Sequence, residues 1–270
     1  MTDPSPRHVQ LSRVGLHVLT WQGADPPIVL LHPNRTNARV WEHLVAASEL
    51  DRHIVAVDHR GHGHSDWPER GYQLDDYVAD DIELLESLDA GPVDLVGAAT
   101  GGTVALLLAS ERPELVRRLV VIDPGLSLDP TINAMVQDQL LRQYRHDDWA
   151  AAVADMPFAE GWAPEVREHF AHHSLIEGPD GSVTWRYHLA AAQETESALE
   201  ADLWYRIDVR CPALLVRGAD SEVFDEVRMQ RLAAAIATVE TVAIEGANHR
   251  VMQDQPAALA AAIDRFLGPT

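Results

Sequence analysis

Val93-Asp94-Leu95-Val96-Gly97-Ala98-Ala99-Thr100-Gly101-Gly102-Thr103-Val104-Ala105-Leu106-Leu107-Leu108 decides how this chain is read. A short apolar run narrows to small residues and passes straight into a second, longer apolar run. That order predicts a buried strand, a sharp turn and a buried helix. Gly97 and Gly101 fall where strand and helix backbones must pass closely. The spacing is that of Gly-x-Ser-x-Gly, the turn that lifts a nucleophilic serine above a parallel sheet. The middle position here is Ala99, which carries no oxygen and no acid–base chemistry. The functional question therefore centres on one missing hydroxyl.

Outward from this stretch, short β-rich runs alternate with longer amphipathic ones, the signature of a mostly parallel sheet covered by helices. Strands are predicted at Val14–Trp21, Ile28–His32, Ile54–Asp58, Leu119–Asp123, Ala213–Arg217 and Val239–Ile244. Helices are predicted over Ala38–Leu50, along the apolar face Leu74, Tyr77, Val78, Ile82, Leu85 and Leu88, near Arg228–Ala237, and from Pro256 onward. Between Leu126 and Ile207 the rhythm changes to helix-like runs without a convincing parallel strand. This predicts a core of residues 1–125 and 208–270 with a helical cap of residues 126–207 over the sheet's C-terminal edge. Trp149 and Trp185 in that cap are candidates to line a substrate pocket, although packing is the plainer role for any one tryptophan there.

The chain has 270 residues, enough for one large α/β domain with an insertion. Its formal net charge of −21 makes a poor partner for phosphate backbones or anionic lipid. The single cysteine, Cys211, excludes an intrachain disulfide and reads as a buried thiol. The N-terminal residues lack a signal-like apolar stretch, and no run is long enough to span a bilayer. A soluble cytoplasmic protein acting on a small molecule is the default expectation, with no nucleic-acid or membrane partner. Oligomeric state is left open.

Three further segments join the Gly97 turn in order along the chain. His32-Pro33-Asn34 follows an early strand. Asp58-His59-Arg60-Gly61-His62-Gly63-His64-Ser65 follows the next. Gly246-Ala247-Asn248-His249 follows the last. Together they resemble the α/β-hydrolase fold superfamily across nearly the whole chain, with the first standing where the family usually has His-Gly-x and the others resembling its D-x-R-G-x-G-x-S and G-x-x-H segments. The resemblance implies a mostly parallel, eight-stranded sheet flanked by helices. It also implies that His249 is the catalytic histidine. Asn34 and Thr100 would supply the oxyanion-hole N–H groups, and His32 would lie against substrate. Pro33 departs from the family's glycine and fixes φ in that loop.

The acid that would orient His249 is ambiguous. The family's usual slot holds Ser221, flanked by Asp220 and Glu222. Some members carry the acid after the preceding strand, which points to Asp123, 24 positions beyond Ala99. Asp123 and Glu222 stand about equal, with Asp220 behind them. His59, His62, His64 and Asp66 also contain an H-x-H-x-D string of the kind that binds zinc. The same residues fit the D-x-R-G-x-G-x-S turn, so neither metal nor cofactor is expected. No phosphate-binding glycine loop is convincing.

Two explanations of Ala99 compete. Either the chain is one substitution from a serine hydrolase of esters, lactones or related acyl bonds in a small, rather apolar molecule, or alanine is native. A native alanine leaves His249 as a general base in lyase, cyclase or cofactor-free oxygenase chemistry, or leaves a catalytically silent ligand-binding protein. The first needs one change and is favoured.

Overall fold

The computed structural model describes residues 3–142, 144–156, 159 and 161–268. Among the described residues the strands, in chain order, are β1 Ser5–Gln10, β2 Gly15–Trp21, β3 Ala24–Leu31, β4 Arg52–Val57, β5 Val93–Ala98, β6 Val116–Ile122, β7 Arg145–His146, β8 Leu175–Glu177, β9 Val183–Trp185, β10 Ala213–Gly218 and β11 Val239–Ile244. The helices are α1 Glu42–Ala47, α2 Leu74–Ser87, α3 Thr100–Glu111, α4 Pro130–Arg142, α5 Trp149–Ala154, α6 Pro164–Ser174, α7 Leu189–Ala198, α8 Glu226–Ala234, α9 Val251–Asp254 and α10 Pro256–Leu267.

Eight strands form one sheet in the order β1-β2-β4-β3-β5-β6-β10-β11. β2 pairs antiparallel with β1 and β4, and every other pairing is parallel. Alternate residues feed two apolar layers. Val29, Leu31, Leu95 and Val121 face one, while Leu30, Val96, Val120 and Val216 face the other. A parallel sheet covered on both faces needs this unbroken apolar register, which is why its strands read as apolar runs. The chain steps from β3 to β4 on one side, then returns to place β5 on the other side of β3. The loops after β3 and β5 therefore diverge and leave a crevice at the strands' C-terminal ends, where ligands settle in such sheets.

Two elements differ from the sequence reading. β1 is silent in the sequence, because its residues are exposed almost throughout and carry no apolar alternation. The segment between β6 and β10 is not purely helical. It contains a small antiparallel sheet, β7-β9-β8, beside α4 to α7, and has its own apolar cluster around Trp162, Phe170, Trp185 and Tyr187. Strands of two or three residues are too short to show a period. The helix expected from Ala38 starts as a 3-10 turn, Ala38–Trp41, capped by Asn37, and becomes α-helical only at Glu42.

Candidate active site

Ala99 sits between β5 and α3 with φ 48° and ψ −117°, a strained backbone for any residue with a Cβ. Such a conformation costs about 1–3 kcal/mol and persists only where its surroundings enforce it. The Ala99 N–H donates to the Ile122 carbonyl at 2.8 Å, and its own carbonyl accepts from the Thr103 N–H at 3.0 Å. The glycines explain the tight passage. A Cβ on Gly97 would lie 2.2 Å from the Gly101 carbonyl oxygen, and one on Gly101 would lie 2.2 Å from that of Leu31. α3 is thus pressed against the ends of β3 and β5, with its N-terminal dipole at the turn.

His249 lies in the loop between β11 and α9. Its Nδ1–H donates to Asp123 Oδ1 at 2.7 Å. Asp123 is fully buried and also accepts from Ser221 Oγ at 2.7 Å and the Gly218 N–H at 3.0 Å. Three donors to one carboxylate fix it as an anion-shaped acceptor. With Nδ1 committed, Nε2 is the nitrogen left to take a proton. Gly218 makes the approach possible, since a Cβ there would meet the Asn248 carbonyl oxygen at 2.1 Å.

Ala99 and His249 line one small cavity of about 20 Å³ with Pro33, Thr36 and Arg250. A neighbouring cavity of about 130 Å³ shares Thr36 and Arg250 and adds Asn34, Arg35, Phe170, Trp185 and Tyr187. Arg35 takes a positive φ of 65° and pairs with Glu196 at 3.7 Å. Withdrawal from water, then repulsion from Arg35, pushes the Arg250 guanidinium down to about 10. Burial drives the Tyr187 phenol well above its ordinary value. The pocket therefore joins two guanidinium groups to an aromatic wall.

A family model described as the alpha/beta hydrolase family matches residues 28–262. The chain belongs to the alpha/beta hydrolase family. It is 29% identical to the 2-(acetamidomethylene)succinate hydrolase of Mesorhizobium japonicum, over 97% of this chain and 94% of that protein. It is 31% identical to the lipase LipV of Mycobacterium tuberculosis, over 95% of this chain and 99% of that protein. The crystal structure of E-2-(acetamidomethylene)succinate hydrolase superposes with a TM-score of 0.89 at 27% identity, covering 98% of this chain and 99% of that one.

Within this alpha/beta hydrolase the structure separates the candidate residues. It brings Ala99, His249 and Asp123 together. It does not bring Glu222 or Asp220, which are both exposed; Asp220 uses its N–H on the Ala247 carbonyl at 2.9 Å. Thr100 is the first residue of α3, where backbone N–H groups have no partner within the helix. The Asn34 side chain is tied to α7, donating to the Ala192 carbonyl at 3.0 Å and Glu196 Oε1 at 3.1 Å, so only its backbone N–H is left for an oxyanion.

Trp185 lines the larger cavity, but Trp149 does not. It is 38% exposed and faces a separate surface cleft. His32 is not at the pocket either. Its ring is buried, with Nδ1 on the Pro33 carbonyl at 2.7 Å and Nε2 accepting the His59 N–H at 3.0 Å. It braces the loop that carries Asn34. The H-x-H-x-D residues turn to separate partners. His59 meets Asp81 at 3.0 Å, His62 meets the Arg60 carbonyl at 3.0 Å, and Asp66 accepts the Gly15 N–H at 2.7 Å. Sequence reasoning missed Arg35, Arg250 and Gly218. Adjacency to Asn34 and His249 was the available signal for the two arginines.

Proposed function

We propose that this hydrolase-family chain is built to cleave an ester, lactone or related acyl bond in a small molecule bearing a carboxylate, and that Ala99 occupies its nucleophile position. The observation that carries the reading is the strained turn at Ala99 sharing a cavity with His249, whose ring is held by Asp123. With serine at 99, Oγ would attack the acyl carbon as His249 Nε2 takes its proton. The Asn34 and Thr100 N–H groups would hold the oxyanion, His249 would protonate the leaving group, and water would then release the acyl group. Losing the nucleophile from such a set removes roughly 10⁶ of rate, so the chain as it stands should be nearly inert in this reaction.

The sequence favoured a rather apolar substrate. Arg35 and Arg250 in the pocket argue instead for an anionic end, since guanidinium groups pair with carboxylates. The succinate in the Mesorhizobium relative's name supports the same choice. The small cavities favour a compact molecule over a long acyl chain.

A second reading follows from the His249–Asp123 pair standing intact while the turn beside His249 carries an alanine at position 99. That pair could act as a general base on the substrate itself. The test is Ala99→Ser against the unaltered chain on a panel of esters, lactones and enamides with and without a carboxylate. Turnover only in the serine form supports acyl-enzyme hydrolysis. Equal turnover in both overturns it in favour of the base-only reading. Turnover in neither form, with a ligand retained, points to a binding protein.

A further inference from the structure

Away from His249, four histidines gather where α6 meets the Ala38–Trp41 turn and the start of α1. His169 and His173 are four apart on α6 and so share a face. Their rings lie 4.5 Å apart, and His172 follows within 4.9 Å of His173. Across the seam, Glu42 opens α1. Arg39 engages its Oε1, and Oε2 is turned to His169 Nε2 at 3.0 Å. One ligand atom from each of Glu42, His169 and His173 lies within 4.8 Å of the others. His43 stacks edge-on against His169 at 4.8 Å, and its buried Nε2 has no hydrogen-bond partner among the described residues. The cluster borders two surface clefts, which give an ion a way in.

We propose that Glu42, His169 and His173 form a binding site for a first-row divalent cation, zinc or nickel, that fastens α6 to α1. Two imidazoles and a carboxylate suit these ions, which bind such groups at roughly 2.0–2.2 Å. Tetrahedral ligands at that distance stand about 3.3 Å apart. The Glu42–His169 pair is already near this spacing, and side-chain rotation of His173 closes the rest. Water completes the shell. The ion would add to an existing bond across the same seam, where Asn37 Nδ2 donates to the His173 carbonyl at 3.0 Å, and would replace the proton that His169 Nε2 holds between Glu42 and the Arg39 carbonyl. Phe170, beside His169, lines the cavity that holds Arg35, so the clasp would steady one wall of that cavity. The site is independent of the residue at position 99.

The full chain, stripped of metal with a chelator, is titrated with zinc chloride and nickel chloride by calorimetry and thermal melting. One ion per chain is expected, with a Tm rise of about 5 °C at a hundredfold excess over Kd. Glu42→Gln, His169→Gln and His173→Ala should each weaken binding at least tenfold and remove the rise. Equal binding by all three variants, or no saturable binding below about 1 mM, overturns the site. Should a variant fail to fold, zinc-edge anomalous scattering from crystals of the unaltered chain soaked in zinc chloride decides the matter. A peak among the three side chains supports the site, and a peak elsewhere or none overturns it.

Discussion

Gly101→Ala sets helix propensity against packing at the turn. Within a helix, alanine is favoured over glycine by up to about 1 kcal/mol, so even at the second position of α3 propensity alone predicts a more stable protein. At residue 101 the new Cβ would lie 2.2 Å from the Leu31 carbonyl oxygen and 2.6 Å from that of His32. Both obstacles are backbone in buried segments, so neither can rotate aside. α3 and β3 would have to separate by about 1 Å, at the upper end of the roughly 1–3 kcal/mol that overpacking costs. The net expectation is a loss of about 2 kcal/mol, or a Tm lower by roughly 4–8 °C. Gly102→Ala is the internal control. It brings the same propensity gain, but its nearest contacts are the Gly97 carbonyl oxygen at 3.1 Å and a Val121 methyl at 3.3 Å. It should stay within about 1 kcal/mol of the parent. Urea titrations of the three proteins, followed by far-UV circular dichroism, measure the difference. If Gly101→Ala equals or exceeds Gly102→Ala in stability, close approach at β3 does not hold the turn in place, and strain at Ala99 loses its structural cause.

In an Ala99→Ser background, Asp123→Asn should cut kcat by roughly 10⁴ while Glu222→Gln leaves it unchanged, because Asp123 and not the exposed Glu222 holds the His249 ring. A large effect of Glu222→Gln in steady-state assays would reverse that assignment. In the same background, Arg250→Met should raise KM at least tenfold for carboxylate-bearing esters and little for neutral ones of equal size; an equal rise for both rejects the anionic pocket. Stability should also depend on pH. Burial lowers the His62 imidazole to about 4, against 6.5 for the free side chain, and holds His32 well below its ordinary value. Below pH 6.5 the unfolded chain then binds more protons than the folded one. This contribution is intact above that pH and is lost as pH falls toward 4. The urea midpoint should drop over that window, and less steeply in His62→Gln; identical slopes contradict the burial argument.

The parallel strands were legible because a sheet covered on both faces demands continuous apolar runs, and the turn at Ala99 was legible because its glycines have no substitute. β1 was silent because an exposed edge strand is under no such demand. The orienting acid could not be chosen from sequence. Asp123, Glu222 and Asp220 all follow strands at the same edge of the sheet, and the choice depends on which faces the His249 loop. Gly218 settles that by letting residues 247 and 248 close onto the end of β10. Ser221 looked like a missing acid, yet its hydroxyl is a donor to the carboxylate that came from β6. His32 was misplaced because motif position says nothing about which way a ring turns, and its two ring nitrogens are both used on backbone, one in its own loop and one in the loop after β4. Trp149 was misplaced because position within the insertion does not reveal which of its clefts a side chain faces.

Intact-protein mass spectrometry after exposure of Ala99→Ser to a fluorophosphonate tests the central claim most directly. One covalent adduct is expected, on the introduced hydroxyl at position 99. It should form rapidly, be slowed by orders of magnitude in Ala99→Ser/His249→Ala, and be absent from the unaltered chain. A serine at 99 that stays unlabelled in a folded protein, or labels equally well without His249, would contradict the claim.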